Sequence, residues 1–128
     1  MKVALVFASL LLSASVTQAQ SVTKAAISGK SIRLFFANTT NPDCNSAGDT
    51  TVRVTRAPEH GRLDIKKASD FPDSPRGNSR RACKKRRVAG LLALYALQPG
   101  FIGTDYVSVE MFFADGAFAR RNFTINVR

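Results

Sequence analysis

The densest group of charged side chains in the sequence is a basic run near its middle, in a loop at residues 76–87. Seven of its twelve residues are basic and none is acidic, the seven being Arg76, Arg80, Arg81, Lys84, Lys85, Arg86 and Arg87. Like charges this close repel one another, and a polyanion would relieve the repulsion and release its own counter-ions. The run therefore predicts binding to an anionic polysaccharide, a lipopolysaccharide or an anionic membrane surface. A solvated loop whose charge only aids solubility is the alternative.

Residue types that carry out catalysis or bind metals are sparse. His60 is the only histidine, and its place beside Gly61 at a strand start favours a turn or packing role. The nine acidic residues are scattered, and no nucleophile, zinc or phosphate-loop motif is present. No aromatic residue lies between the charges of the basic run, so base stacking is not expected there. We expect a non-enzymatic protein without a cofactor or a bound metal.

The first nineteen residues have the pattern of a secretory signal peptide. Lys2 precedes an apolar run at residues 3–12, and Thr17 and Ala19 are small residues at the −3 and −1 positions of a cleavage site. The run is about half of the ~20 residues that a membrane span needs. We expect cleavage after Ala19, a mature domain of residues 20–128 without a transmembrane segment, and a periplasmic or extracellular location. Loss of Lys2 would lower the formal net charge from +10 to +9.

Cys44 and Cys83 are the only cysteines in the chain. An exported protein with two cysteines usually joins them, because its compartment is oxidising. The disulfide would close a loop of about 40 residues and stabilise the fold by about 4 kcal/mol. It would also tether the middle of the basic run to the loop around Cys44.

Alternation of apolar and polar residues, the period of a β-strand, dominates the mature chain. It predicts strands at residues 31–38, 51–56, 62–67, 91–97, 106–113 and 117–127, with a weaker one at 22–27. The segment 91–97 is apolar on both faces, which predicts a buried central strand. Asp115-Gly116 predicts a two-residue hairpin loop between the last two strands. Short strands separated by turns at this spacing favour an antiparallel β-sandwich in a single domain.

The core of such a sandwich should come from the inward side chains of these strands. The predicted core residues are Phe36, Val52, Val54, Leu63, Ile65, Leu92, Leu94, Phe101, Val107, Val109, Phe123, Ile125 and Val127. In the first predicted strand, Ile32, Leu34 and Phe36 should share one face.

Two segments carry recognisable motifs. Residues 57–63 read Ala-Pro-Glu-His-Gly-Arg-Leu, and residues 95–105 read Tyr-Ala-Leu-Gln-Pro-Gly-Phe-Ile-Gly-Thr-Asp. They resemble the Pro-x-His-Gly and Pro-Gly-Phe-x-Gly-Thr-Asp steps of the Ig-like or cadherin-like repeats of bacterial exported and surface proteins. The resemblance implies an Ig-like antiparallel β-sandwich.

Within the second motif each residue type has a structural reason. Pro99 and Gly100 should set a turn, Phe101 should plug the end of the sandwich, and Gly103 should adopt a backbone conformation that other residues resist. Asp105 should accept backbone N–H groups where the chain enters the next strand.

The sequence departs from the pattern of these repeats in three ways. We expect one domain rather than a tandem array, Leu97 stands where proline is common, and the stretch between Leu63 and Tyr95 is longer than usual. We expect an exported binding module whose cationic loop contacts an anionic envelope component or another polyanion. The alternative is a structural or protein-interaction domain with a protein partner, in which the charge is incidental.

Overall fold

A computed structural model describes residue 13 and residues 18–73 and 81–128, with Arg81 described in its backbone only. Most of the predicted signal peptide lies outside these residues. The described residues form seven β-strands and one short 3-10 turn. The strands are β1 (Gln20–Ala26), β2 (Ser31–Ala37), β3 (Thr51–Arg56), β4 (Gly61–Asp70), β5 (Val88–Leu97), β6 (Gly103–Phe112) and β7 (Phe118–Val127), and the 3-10 turn is Arg81–Lys85. The predicted strands are confirmed, with ends shifted by up to three residues.

The strands form two sheets that face each other across one hydrophobic core. One sheet has the order β1-β7-β6-β3 and the other has the order β2-β5-β4. The predicted all-β sandwich is therefore confirmed, with β5 as the predicted central strand. The four-stranded sheet is mixed, because β1 runs parallel to β7 while the other pairs are antiparallel.

A β-bulge in β2 changes which of its side chains face the core. The pairing of β2 with β5 shifts between Arg33 and Phe35, so Leu34 is an extra residue. Leu34 and Phe35 both join the core cluster as a result. Phe36 is also buried, but it pairs with Leu92 and lies on the opposite face of the strand. The prediction that Ile32, Leu34 and Phe36 share one face is wrong.

Only one face of β5 packs in the core, although both faces of this strand are apolar. Ala93 and Tyr95 are fully buried, whereas Leu92 and Leu94 pair with the exposed Lys66 and Asp64 on the outer face. Leu92 and Leu94 are therefore wrong as core predictions. The core cluster also contains residues outside the predicted list, namely Ala26, Leu34, Phe35, Ala37, Ala93, Tyr95, Leu97 and Met111.

Val54 is the other incorrect core prediction, because 40% of its surface is exposed. It lies on the edge strand β3, next to a register shift, so a neighbouring strand covers it on one side only. The other predicted core residues are buried or pack against the core cluster.

The last two strands form the predicted hairpin. Its loop has three residues rather than two, because the Phe113 N–H donates to the Ala117 carbonyl and encloses residues 114–116. Gly116 has a φ of 85°, which favours glycine at that position. Within the described part of the chain, no helix has the length and hydrophobicity to cross a membrane.

Candidate functional site

The described part of the basic run, residues 81–87, is called the cationic segment below. It begins with the 3-10 turn Arg81–Lys85 and ends at Arg87, immediately before β5. Cys83 lies at the centre of the segment, is 1% exposed and forms a disulfide with Cys44. The predicted disulfide is confirmed, and it anchors the middle of the segment to the fold.

The loop that carries Cys44 is itself ordered by local hydrogen bonds. The Cys44 N–H donates to the Asn41 carbonyl at 2.9 Å, and the Asn41 N–H donates to the Asn45 carbonyl at 2.8 Å. Cys44 has a φ of 66°, a left-handed conformation that is uncommon for residues other than glycine. The disulfide therefore joins the cationic segment to a tightly folded loop.

Two arginines of the cationic segment are used to hold it in place. The Arg86 Nη1 donates to the Asp43 carbonyl at 3.0 Å, and the Arg87 Nη1 donates to the Ser69 carbonyl at 3.2 Å. The guanidinium of Arg87 also lies over the Phe71 ring, 5.1 Å from its centre. Part of the basic run thus also stabilises the fold, while Arg86 and Arg87 stay exposed and keep further N–H donors free.

Lys84 and Lys85 lie between Cys83 and the two anchored arginines. Both are exposed, and neither forms an ion pair with any acidic side chain of the described residues. Asp70 and Asp73, which lie in and just after the end of β4, both bind Arg33, with nitrogen–oxygen distances of 3.5 and 2.8 Å. The two lysines therefore project positive charge into solvent.

The remaining predicted site residues have no described side chain. Arg76 and Arg80 lie outside the described residues, and only the backbone of Arg81 is described. The structure brings Lys84, Lys85, Arg86 and Arg87 together around Cys83. All four are exposed, and the two arginines also bind carbonyl oxygens of the fold.

Asp105 connects the two motifs at the other end of β5. Its carboxylate is 2% exposed and accepts the Glu59 N–H at 3.0 Å, the His60 N–H at 3.0 Å and the Tyr106 N–H at 2.9 Å. It also accepts the Tyr95 hydroxyl at 2.5 Å. The prediction that Asp105 accepts backbone N–H groups is confirmed.

These contacts shift the titration of both partners. Burial alone would raise the pKa of Asp105, but the Tyr95 hydroxyl and the three backbone N–H groups outweigh it and lower the pKa below 3.8. Burial, and then the hydrogen bond and charge of Asp105, raise the pKa of Tyr95 well above 10. Asp105 thus stays ionised and Tyr95 neutral at ordinary pH, which suits a structural clamp better than proton transfer.

His60 and Phe101 complete this end of the sandwich. Their rings stack with centres 3.9 Å apart and planes at 3°. Phe101 is half-buried against the core, as predicted, and Gly103 has a φ of 142° that favours glycine. Among the described residues, no three His, Cys, Asp or Glu side chains come together as a metal site.

A second group of cations lies on the outer face of the four-stranded sheet. Three arginines there lie over three aromatic rings, at distances of 4.6 Å for Arg56 over Tyr106, 5.4 Å for Arg120 over Phe118 and 6.0 Å for Arg53 over Phe112. Together with Glu110 these six residues form what is called the arginine–aromatic face below.

Glu110 fixes two of the three arginines on this face. Its carboxylate accepts hydrogen bonds from the Arg53 guanidinium, and the Arg120 Nε lies 3.4 Å from its other oxygen. The Phe112 and Phe118 rings pack against each other with centres 5.1 Å apart. This face is not among the predicted sites, although the aromatic residues Tyr106 and Phe112 in the predicted strand 106–113 are a signal that could have indicated it.

Comparisons with known proteins identify no family for the chain. No family model matches it, and no curated protein is significantly similar to it. The solution structure of amebosin is similar over 87% of this chain and 99% of that chain, with 11% sequence identity and a TM-score of 0.40. A TM-score of 0.40 is too low to indicate a shared fold or a shared function.

Proposed function

We propose that the protein is an exported, non-enzymatic binding module whose cationic segment contacts an anionic envelope component or another polyanion. The observation that supports this most is the exposure of Lys84 and Lys85 on a segment held by the Cys44–Cys83 disulfide. A fixed cluster of like charges loses little conformational entropy when it binds, and a polyanion releases counter-ions on binding it.

Export and the Ig-like assignment belong to the same proposal. The disulfide and the signal-peptide pattern support a periplasmic or extracellular location, because disulfides persist in oxidising compartments. The two-sheet sandwich and the contacts of Asp105 support the relationship to Ig-like or cadherin-like repeats.

A protein-interaction domain is the second candidate. The observation in its favour is that Tyr106 and Phe112 expose 42% and 41% of their surfaces on one sheet face. Exposed aromatic side chains of this kind are common at sites that contact other molecules. In this candidate the cationic segment contributes only to solubility.

The salt dependence of binding distinguishes the two candidates. The test variant is Lys84→Ser/Lys85→Ser, which leaves the structural contacts of Arg86 and Arg87 unchanged. The control variant, Lys30→Ser/Arg62→Ser, removes the same charge at the opposite end of β5, near Leu97 and Ala96. The probes are heparin, lipopolysaccharide and vesicles that contain phosphatidylglycerol, each titrated over a salt series.

For at least one probe, the wild type and the control should bind with a steep salt dependence. The test variant should bind more weakly, and its slope of log K against log salt should be shallower by about 2, because each of the two removed lysines would neutralise about one anionic group. Equal losses of affinity in the two variants, or no binding by the wild type to any probe, would contradict the proposal.

A further inference from the structure

Two aromatic rings of the arginine–aromatic face are open to solvent. Tyr106 and Phe112 are 42% and 41% exposed, and both belong to β6. They are six positions apart along the strand, which corresponds to about 20 Å. Covering exposed apolar surface with a ligand lowers the free energy of binding. The two rings can therefore act as contact surfaces for a ligand at the two ends of one strip, which is the outer surface of β6 from Tyr106 to Phe112.

Between the two rings, the outward side chains of β6 are Ser108 and Glu110, and Glu110 pairs with Arg53 and Arg120. Ser108 of β6 pairs with Asn122 of β7, and Tyr106 pairs with Thr124. Hydroxyl and amide groups both donate and accept hydrogen bonds. A ligand that lies along β6 therefore meets the Tyr106 ring, then the neutral hydrogen-bonding groups of Ser108 and Asn122, then Glu110 with its arginines, and then the Phe112 ring.

The strip is bordered by positive charge. Arg53, Arg56 and Arg120 outnumber Glu110, and Arg56 has no acidic partner among the described residues. Each guanidinium has five N–H donors, so Arg53 keeps several free after binding Glu110. Free guanidinium donors bind carboxylates in a bidentate manner.

From this combination we propose that the arginine–aromatic face binds an acidic polysaccharide. Sugar rings pack their C–H faces on the parts of Tyr106 and Phe112 that the arginines leave exposed, their hydroxyl groups bind Ser108, Asn122 and Thr124, and their carboxylates pair with Arg56 and Arg53. The site uses residues distinct from the cationic segment, so either site can fail without the other.

Two other occupants have to be distinguished from an acidic polysaccharide. Glu110 lies at the middle of the strip, directly between Arg53 and Arg120 in the strand register, and it repels the carboxylates of a polysaccharide and the phosphates of a nucleic acid alike. A second copy of the chain would bring arginines against arginines. Single-stranded nucleic acid and self-association are therefore outcomes that the experiment must be able to show.

The experiment separates charge from ring packing with two probes. Polygalacturonate is acidic and made of sugar rings, whereas polyphosphate is acidic and has none. The test variants are Tyr106→Thr and Phe112→Thr, which keep residues that suit a strand. The control is Ile27→Ser, which removes an apolar side chain that is 64% exposed in the β1–β2 turn.

Tyr106→Thr should weaken polygalacturonate binding about tenfold, which equals about 1.4 kcal/mol, and should leave polyphosphate binding unchanged. The Lys84→Ser/Lys85→Ser variant should weaken polyphosphate binding, if the cationic segment acts as proposed above. Phe112 packs on Phe118, so a thermal unfolding curve must show that Phe112→Thr is folded. If it is not folded, the test rests on Tyr106→Thr alone. The Tyr106 ring packs with Arg56 on the surface, so its loss should leave the fold intact.

The inference is overturned if Tyr106→Thr binds polygalacturonate like the wild type, or if the wild type does not bind it at low salt. It is also overturned if Tyr106→Thr loses binding to a thymidine oligonucleotide instead. A wild-type dimer in sedimentation that Tyr106→Thr converts to a monomer, without a change in polygalacturonate binding, would assign the face to self-association.

Discussion

Asp105→Asn should destabilise the protein more than any other single exchange of equal volume. Each carboxylate oxygen accepts two donors: one takes the Glu59 and Tyr106 N–H groups, and the other takes the His60 N–H and the Tyr95 hydroxyl. An asparagine must turn its NH₂ group toward one of these pairs. The Tyr95 hydroxyl can rotate to accept from the NH₂ group, but the backbone N–H groups cannot.

At least one of the three backbone N–H groups therefore loses its acceptor. The others keep an acceptor, but it is a neutral amide oxygen instead of a charged carboxylate oxygen. An unpaired buried donor costs about 1–3 kcal/mol, and a hydrogen bond to a charged group is worth about 1.5–3 kcal/mol. We expect a loss of about 3 kcal/mol in the free energy of unfolding. For a domain near this size that lowers the melting temperature by roughly 10–20 °C.

Urea unfolding with the disulfide intact measures this loss. Tyr95→Phe removes only the hydroxyl donor and should cost less than Asp105→Asn. The losses of the two single variants should not add in the double variant, because both remove the same Tyr95–Asp105 bond. Additive losses would refute the reasoning.

The pH dependence provides a second check on the same carboxylate. The pKa of Asp105 is lower in the folded protein than its ordinary 3.8, so the folded state binds this proton more weakly than the unfolded state. Its contribution to stability is therefore fully present above about pH 4 and is lost as the pH falls through the folded pKa. The difference between the wild type and Asp105→Asn should shrink below pH 4; a constant difference down to pH 2 would show that Asp105 is not the ionised acceptor.

Two further predictions concern the disulfide and the packing around Tyr95. Cys44→Ser/Cys83→Ser, which removes a bridge between residues 39 positions apart, should lower the free energy of unfolding by about 4 kcal/mol, as a shift of the urea midpoint; an unchanged midpoint would contradict it. Gly61→Ala would place a Cβ 2.5 Å from the Tyr95 ring and 2.7 Å from the Ala96 carbonyl oxygen. It should cost at least 1–3 kcal/mol by overpacking, on the order of the losses typical of cores, whereas an unchanged melting temperature would show that the ring can move aside.

The strands could be predicted from the sequence, whereas their orientation toward the core could be predicted only in part. Alternation locates a strand because side chains point to opposite faces in turn. It fails at Phe36, because the bulge at Leu34 inserts one residue and reverses the faces beyond it. It also fails in β5, where both faces are apolar and only pairing with Leu63 and Ile65 makes Tyr95 and Ala93 the inner residues.

The candidate site was predictable to a similar degree. Local charge density identified Lys84 and Lys85, and the redox context identified their disulfide anchor. The sequence does not show that Arg86 and Arg87 bind carbonyl oxygens, because Asp43 and Ser69 are distant along the chain. The arginine–aromatic face is harder to find, since strand pairing alone brings β3, β6 and β7 together.

Arginine and lysine side chains have different surroundings in this protein: several arginines pack on aromatic rings, and most of the described lysines remain in solvent. In the described part of the chain, the five cations that lie over aromatic rings are all arginines: Arg33, Arg53, Arg56, Arg87 and Arg120. A planar, weakly hydrated guanidinium packs on a ring and keeps donors free, whereas an ammonium is strongly hydrated and remains in solvent.

This division means that charge density along the sequence is a poor measure of which cations are available. The run from Lys84 to Arg87 is the densest described cluster, yet half of it also makes contacts within the fold. Arg53, Arg56 and Arg120 are scattered in sequence, yet the strand register collects them on one sheet face beside exposed rings. A ligand that responds to charge alone should favour the lysines, whereas a ligand that also has rings to pack should favour the sheet.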